Sequence, residues 1–316
     1  MIIVGLGTVA RTHLTVLERI EETAVLAGVD PAPPKHLTFR DRDVPVYATL
    51  RDAATRHEPD LVVITTPTHT HPPVCGEVAE YFPRASVLVE KPAADSFAEA
   101  RRLLDGTGGL PPVDVAYHMA FSPEVRWGAG LADRLSTVLG DPTSIMASFA
   151  DPYEAEFDSA QKRFGNSWID SGINALSVLN RFVEPLERVS LRSLGPEPWS
   201  AFEGRIRCRA ASGDVEATVL TSWHVTAPAR TTRIGYSSGA ELVLDHHGVA
   251  GHLIRRGTVQ EFFGSDGHRP RRESHYTALY NRYLRDGAPV IPHDRSLRLH
   301  DVLLRPQRPP TRSTFS

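Results

Sequence analysis

Gly5-Leu6-Gly7-Thr8-Val9-Ala10 follows a short apolar run, Ile2 to Val4, and opens an amphipathic stretch, Val9 to Ile20. Strand, G-x-G-x-x-A turn and helix in that order form an arrangement that cradles a dinucleotide. Gly5 permits the tight turn, Gly7 lets backbone N–H groups approach a pyrophosphate, and Ala10 lets the helix pack close to its strand. The N–H groups at Thr8 and Val9, at the start of the helix, then face the phosphate charge. A plain strand-to-helix turn also uses glycine, but Asp30 stands 23 positions after Gly7, near the spacing of about 20 at which an acid meets the ribose hydroxyls. An acid there repels a 2′-phosphate, so the reading is NAD or NADP with NAD favoured. Lys35, Arg40 and Arg42 read as solvated loop charges, with contact to a 2′-phosphate as the alternative.

A second constellation is Asp170-Ser171-Gly172-Ile173-Asn174. On a helix expected from Ser167 to Val183, Asp170 and Asn174 are four apart and project from one face. Ile169, Ile173, Leu176 and Phe182 face the core. Asp170 can be a helix-starting carboxylate or a site residue. Asn174 has no capping role in mid-helix, and its amide can hydrogen-bond but cannot act as a general base. His118 can orient a substrate, relay a proton or be structural, and Trp223 can stack on a ring or fill the core. His69 and His71 are spaced like a metal pair, yet no Cys or carboxylate cluster completes a site, so no metal is expected.

These residues need elements to hold them. Apolar runs at Ile2 to Val4, Val25 to Val29, Leu61 to Thr65, Val87 to Val89 and Val113 to Ala116 alternate with helical stretches at Val9 to Ile20, Thr49 to Arg56, Val74 to Tyr81 and Phe97 to Leu104. That alternation predicts βαβ units and a doubly wound parallel sheet. Ser96 and Glu99 form a capping-box pair. A helix from Pro123 to Leu139 and a strand from Ser144 to Phe149 follow. From Leu186 to Phe263 consecutive strands, with Ala211 to Asp214 as one turn, predict a large, mainly antiparallel open sheet, and helices are expected at His275 to Arg285 and His293 to Leu304. The organisation is an α/β chain with a dinucleotide-binding unit at 1–119, a substrate and oligomerisation unit at 120–304, and a flexible tail at 305–316.

The Thr65-Thr66-Pro67-Thr68-His69-Thr70-His71 segment and Glu90-Lys91-Pro92, each after a predicted strand, together with the glycine turn resemble the Gfo/Idh/MocA family of NAD(P)-dependent oxidoreductases. The resemblance runs over most of the chain. It implies a Rossmann domain beside an open-sheet α/β domain, and activity on sugars, cyclitols and related polyols. Thr66, Pro67, His71, Glu90 and Lys91 are thereby expected at the cofactor, with Lys91 accepting the hydroxyl proton in hydride transfer. Most members carry histidine where this chain has Asn174. The stretch from Asp170 to Ser177 is similar to the D-x-G-I-N-A-L-S of the L-arabinose and D-galactose 1-dehydrogenase branch, which implies oxidation at a sugar's C1. His118 and Trp223 match positions lining the sugar pocket in that branch. After Phe149 the branch has an acid and a tryptophan, where this chain reads Ala150-Asp151-Pro152-Tyr153-Glu154. The implied catalytic residues are Lys91, Asp170, Asn174 and His118, and the implied substrate residues are His118, Asp151, Asn174 and Trp223. A dehydrogenase acting at another carbon and a catalytically silent NAD(P)-binding regulator stay open.

Composition narrows the partners. Lys and Arg total 35 against 38 Asp and Glu in 316 residues, a formal charge of −3, so neither a basic nucleic-acid surface nor an acidic tail dominates. No apolar stretch reaches the length of about 20 residues that a membrane helix needs. The two cysteines, Cys75 and Cys208, form no framework, and the start of the chain lacks a secretory leader, so a cytoplasmic location is expected. A large sheet with few helices left to cover one face predicts a homodimer or homotetramer through that face.

Overall fold

The computed structural model describes residues 1–34, 36–110 and 113–305. Lys35 and the expected tail beyond Arg305 lie outside the described residues.

Strand β1 (Ile2–Val4) leads through the glycine turn into helix α1 (Thr8–Leu17), and β2 (Ala27–Val29) pairs with β1 in parallel. A small hairpin, β3 (Thr38–Phe39) and β4 (Arg42–Asp43), precedes the two-residue strand β5 (Val46–Tyr47). Helix α2 (Leu50–Ala54) starts at Thr49, whose hydroxyl accepts from the Asp52 N–H at 3.1 Å. Then follow β6 (Leu61–Ile64), α3 (His71–Tyr81), β7 (Ser86–Val89), α4 (Phe97–Leu104) and β8 (Val113–Val115). The capping pair holds: Ser96 Oγ accepts from the Glu99 N–H and donates to its carboxylate at 2.8 Å.

All six sheet strands are parallel, in the order β5-β2-β1-β6-β7-β8. This is the doubly wound order 3-2-1-4-5-6, whose crevice opens at the carboxyl ends of β1 and β6. Apart from Asp114 in the edge strand β8, the strands are largely apolar because helices cover both faces. The expected parallel sheet is present, but with six strands rather than five. Val46–Tyr47 is too short to show a period, and so is the hairpin. Arg40 is not a solvated loop charge and does not face a phosphate. Its guanidinium donates to the carbonyls of Glu18 at 2.9 Å and Thr23 at 2.8 Å, closing the C-terminal end of α1 far from the glycine turn.

The chain then makes α5 (Pro123–Arg134) and α6 (Ser136–Leu139), which the sequence merged into one helix, and β9 (Pro142–Ala150). Leu135, at φ −104° and ψ 15°, separates the two helices. Helix α7 (Phe157–Phe164), a π-turn at Trp168–Gly172 and helix α8 (Ile173–Leu179) precede seven consecutive strands: β10 (Glu184–Ser193), β11 (Ala201–Ala210), β12 (Gly213–Ser222), β13 (Ala229–Tyr236), β14 (Ala240–Asp245), β15 (Ala250–Arg255) and β16 (Thr258–Gly264). They form an eight-stranded sheet ordered β10-β11-β12-β9-β13-β14-β15-β16, antiparallel except where β9 inserts parallel to β12. Ala211 and Ser212 make the tight turn expected between β11 and β12.

Helices α5, α8 and α10 (His293–Leu304) pack on one face of this sheet. The other face alternates charged residues across strands, pairing Arg192 with Glu203 at 3.1 Å, Arg205 with Glu216 at 3.5 Å and Arg233 with Glu241 at 3.3 Å. Helix α9 (Arg271–Tyr280) packs on α1, and α10 packs on α4. The expected second unit at 120–304 therefore returns its last helices to the first sheet, which fixes the two sheets around one cleft.

Candidate active site

The glycine turn closes tightly. Gly5 has φ +85°, and a Cβ there would lie 2.8 Å from Thr66 Cγ2 and 2.9 Å from Thr66 N. Only glycine relieves both the backbone conformation and the approach of the β6 loop. Gly7 has φ −77° and ψ −163°, and it precedes α1 without any side-chain cap. A Cβ on Gly7 would meet nothing within 4 Å. Uncapped N–H groups at the start of a ten-residue helix, beneath open space, fit a dinucleotide pyrophosphate. Asp30 sits across this turn: one carboxylate oxygen accepts from Leu6 N–H at 2.8 Å and the other from Ala32 N–H at 2.8 Å. Each oxygen keeps lone pairs for ribose hydroxyls.

His71, at the start of α3, lies beneath this cradle. It is 1 % exposed. Its Nε2 is 2.9 Å from the Thr66 carbonyl and its Nδ1 3.1 Å from the Pro92 carbonyl, so the ring joins the loops after β6 and β7. Burial holds its pKa below 6.5 against the pull of those carbonyls, and a neutral ring donates to only one of them.

Glu90 and Lys91 follow β7. Glu90 points inward, accepting from Tyr276 Oη at 2.5 Å on α9 and meeting His13 Nε2 at 2.9 Å on α1. His13 Nδ1 in turn lies 2.6 Å from Tyr280 Oη. Burial opposes ionisation of Glu90, but the bonds from His13 and Tyr276 outweigh it and lower the carboxyl below 4.5. The carboxylate thus clamps the turn to two helices rather than facing the cleft. The next bond, Lys91–Pro92, is cis. Past it, Ala93 N–H donates to His300 Nε2 at 2.9 Å.

Lys91 Nζ reaches across the cleft to Asp170, donating to its Oδ1 at 3.1 Å and its carbonyl at 3.0 Å. The two side chains are 14 % and 12 % exposed, so this pair is largely sheltered from water. Asp170 lies in the π-turn, not in the continuous α-helix expected from Ser167, and α8 ends at Leu179 rather than Val183. Such single π-turns are frequent at functional sites. Trp168 anchors this one: its Nε1 donates to the Leu303 carbonyl at 3.0 Å, and its ring occupies the space where a Cβ on Gly204 would be, 2.5 Å away. Asn174 Nδ2 donates to the Asp170 carbonyl at 3.3 Å. Its Oδ1 has no partner among the described residues. Lys91, Asp170 and Asn174 are therefore brought together as expected, through a turn the sequence did not indicate.

His118 follows β8 and stacks on Tyr276 at 5.0 Å and on His275 at 5.6 Å between centroids. Its Nδ1 is 3.4 Å from His275 Nδ1. Desolvation, then the charges of His275, Lys91, Arg272 and Arg271, drive His118 well below 6.5. It is a neutral ring within the field of Lys91.

Two expected substrate residues lie deeper than the sequence implied. Trp223 is fully buried, wedged edge-on to Tyr153 at 5.6 Å and tilted against Trp199 at 5.9 Å. Asp151 is 5 % exposed, ion-paired with Arg230 and accepting from Ser171 Oγ at 2.8 Å. Asp151 thus holds Arg230 and the π-turn, while Tyr153, half-buried, packs against the edge of Trp223. Tyr153 is pushed up to about 12 by burial and by Asp170 and Asp151.

His13, Tyr153, Arg230, Arg271, Arg272 and His275 were not singled out from sequence. His13 had a signal, a polar residue in the apolar stripe Ala10, Leu14, Leu17. Arg271 and Arg272 had another, two cations opening a helix where the dipole is already positive.

Residues 1–107 match the family model described as oxidoreductase family, NAD-binding Rossmann fold. Among curated proteins, the rhizopine catabolism protein MocA of Rhizobium meliloti is 24 % identical over 173 residues, 54 % of this chain and 53 % of that protein. The chain thus spans about half the length of this relative. Among solved structures, an oxidoreductase from Agrobacterium radiobacter in complex with NAD+, L-tartaric acid and magnesium superposes with TM-score 0.77 at 14 % identity, covering 96 % of this chain and 93 % of its own. A myo-inositol dehydrogenase from Corynebacterium glutamicum gives 0.71 at 17 % identity, covering 96 % and 93 %. A UDP-N-acetylglucosamine 3-dehydrogenase from Acidithiobacillus ferrooxidans gives 0.70 at 17 %, covering 96 % and 94 %. These likenesses show a shared two-sheet fold. With the glycine cradle and the Glu90-Lys91-Pro92 turn, residues 1–107 of this chain are thus similar to the NAD-binding Rossmann unit of the Gfo/Idh/MocA oxidoreductases.

Proposed function

We propose that this chain is an NAD(P)-dependent dehydrogenase that oxidises a hydroxyl-bearing carbon of a sugar or polyol, with C1 of an aldose as the favoured position. The observation that carries this reading is the sheltered Lys91–Asp170 pair at the carboxyl end of β7, at the same edge of the parallel sheet as the glycine cradle. A bound oxidised nicotinamide would supply the acceptor for the hydride that leaves the carbon. The chain's own residues deal with the proton. Lys91 Nζ already donates to Asp170 Oδ1, so as the ammonium passes that proton to the carboxylate it takes one from the substrate hydroxyl. The C–H and O–H bonds break, a carbonyl forms, and the proton ends on Asp170. Asn174 Oδ1 accepts from a neighbouring hydroxyl and orients the carbon, a task an amide performs where a base would be redundant.

Incubation with NAD or NADP and a panel of aldoses, cyclitols and their ketones tests the reading. Appearance of reduced nicotinamide with one substrate class supports it. Stabilisation by cofactor without turnover on any substrate supports the regulator instead.

Asp30 favours NAD by repelling a 2′-phosphate. Asp30→Ala is expected to raise the NADP to NAD ratio of kcat/KM, and also to loosen the turn through loss of the Leu6 N–H bond. An unchanged ratio would mean that the ribose is read elsewhere.

Self-association through the sheet face without helices is part of the proposal, together with a cytoplasmic setting. That face carries exposed Met146 and Val189 among cross-strand ion pairs, so the interface is polar and of modest strength. Light scattering coupled to gel filtration is expected to give at least twice the 34.8 kDa chain mass. A single-chain mass at every concentration would refute it.

A further inference from the structure

Four cations surround the proposed hydride-transfer site, and only two of them have a carboxylate partner. Lys91 pairs with Asp170, and Arg230 on β13 pairs with Asp151. Arg271 and Arg272, the first residues of α9, have no ion-pair partner among the described residues. Arg271 donates only to the His246 carbonyl, at 3.0 Å. Arg272 is exposed and makes no hydrogen bond to the described residues.

These guanidinium groups share one space with the site. His275, one turn along α9, stacks on His118 at 5.6 Å, the His246 that holds Arg271 donates its N–H to the Arg230 carbonyl at 2.8 Å, and Asp151, paired with Arg230, accepts from Ser171 beside Asp170. Burial, then crowding by Arg230 and Arg272, pulls Arg271 down to about 10 against the opposing charges of Asp151 and Glu124. Two arginines at a helix N-terminus also oppose the helix dipole. Glu273, the acid in that first turn, is drawn away to Arg19 on α1. Nearby, two buried nitrogens lack partners: Arg230 Nε and His275 Nε2, the latter on a fully buried side chain. A neutral sugar would leave Arg272 without an anionic partner among the described residues. An oxyanion would supply one, and guanidinium forks match the oxygens of a carboxylate or phosphate.

Resting on the dehydrogenase reading of this site, we propose that the substrate is a polyol or sugar bearing an oxyanion, whose carboxylate or phosphate is held by Arg272 and Arg271 while the hydroxyl carbon lies at Lys91. Arg272, at the mouth, makes first contact. Arg271, deeper and tethered to the His246 carbonyl, sets the depth of binding. Arg230 stays with Asp151 and shapes the wall.

The test is calorimetric titration of the NAD-saturated protein with D-glucuronate, D-galacturonate, D-glucose 6-phosphate and D-glucose, alongside turnover of each. The oxyanion-bearing probes are expected to bind about tenfold or more tightly than glucose, the scale of one or two charge-assisted hydrogen bonds. Arg272→Gln should remove most of that preference, raising KM more than it lowers kcat and leaving NAD affinity unchanged. Arg209→Gln, on the helix-free face of the sheet, should leave the preference intact. Binding of the uronates alone assigns a carboxylate, and binding of the sugar phosphate alone assigns a phosphate. Glucose binding as tightly as the anions, a preference that survives Arg272→Gln, or no heat with any anionic probe would overturn the proposal. Anion binding that depends on Arg272 without turnover would uphold this site while removing the dehydrogenase reading.

Discussion

Lys91→Met is expected to lower kcat by about 10²- to 10⁴-fold, the usual contribution of a positioned proton-transfer group, while NAD affinity is nearly unchanged. Lys91 Nζ spends two hydrogen bonds on Asp170, and its side chain is 14 % exposed. The amine is therefore fixed at the cleft and not at the pyrophosphate cradle, which is built from Gly5, Gly7 and the start of α1. Methionine keeps the length and apolar stem of lysine, and the turn beneath it stays clamped by Glu90, His13 and Tyr276. Lys91→Arg separates charge from proton transfer. Arginine keeps the positive charge but does not deprotonate in proteins, so it too is expected to be nearly inactive. Steady-state kinetics with calorimetry for NAD checks both variants. Turnover retained by Lys91→Met would remove the amine from the chemistry, and turnover retained by Lys91→Arg would make its role electrostatic.

Folding stability is expected to fall by several kcal/mol as the pH drops from 6.5 towards 4. Desolvation lowers His71, His118, His275 and His300 below their ordinary value of 6.5. In the unfolded chain these rings protonate near 6.5, whereas the folded protein resists. The unfolded state therefore binds more protons throughout the window, and stability that is full above 6.5 is lost as the pH falls through it. His300 is lowered to about 4, so it alone accounts for about 3 kcal/mol across that interval. Its geometry gives the reason. Ala93 N–H donates to His300 Nε2 at 2.9 Å, and Nδ1 lies 2.9 Å from the Ser296 carbonyl, which fixes the Nδ1–H tautomer. A second proton would confront the Ala93 N–H, two residues past Lys91. Denaturant unfolding at a series of pH values checks this. His300→Gln should be less stable at pH 7 but show a shallower acid decline, and a flat profile between pH 7 and 5 would contradict the buried neutral rings.

Much of the N-terminal unit was legible because its signals are local. The glycine turn, Asp30, the Ser96 cap and the apolar strands each specify their conformation within a few residues. Strands of two residues, such as Val46–Tyr47, carry no period to read. The π-turn at Asp170 escaped for a different reason: it is set by Trp168 filling the space over Gly204 and bonding Leu303, contacts 36 and 135 residues away in the chain. Lys91, Asp170 and Asn174 were found through motifs. The arginines facing them were not, because β13 and the start of α9 meet the site only through the fold. Trp223 and Asp151 illustrate the converse. Both sit beside the cleft, but a ring or carboxylate matched by position can serve as support for its neighbour, here Tyr153 and Arg230.

The central claim is that the turn between β1 and α1 holds a nicotinamide dinucleotide and so brings its reactive ring to Lys91. The most direct measurement is calorimetric titration of the folded protein with NAD, paired with Gly7→Asp. A Cβ on Gly7 meets nothing within 4 Å and the residue has ordinary φ, so the variant should fold normally while placing a carboxylate where the pyrophosphate belongs. One NAD bound per wild-type chain, and none to the variant, is the predicted result. No heat with NAD or NADP in either redox state, or equal binding by the variant, would contradict the account.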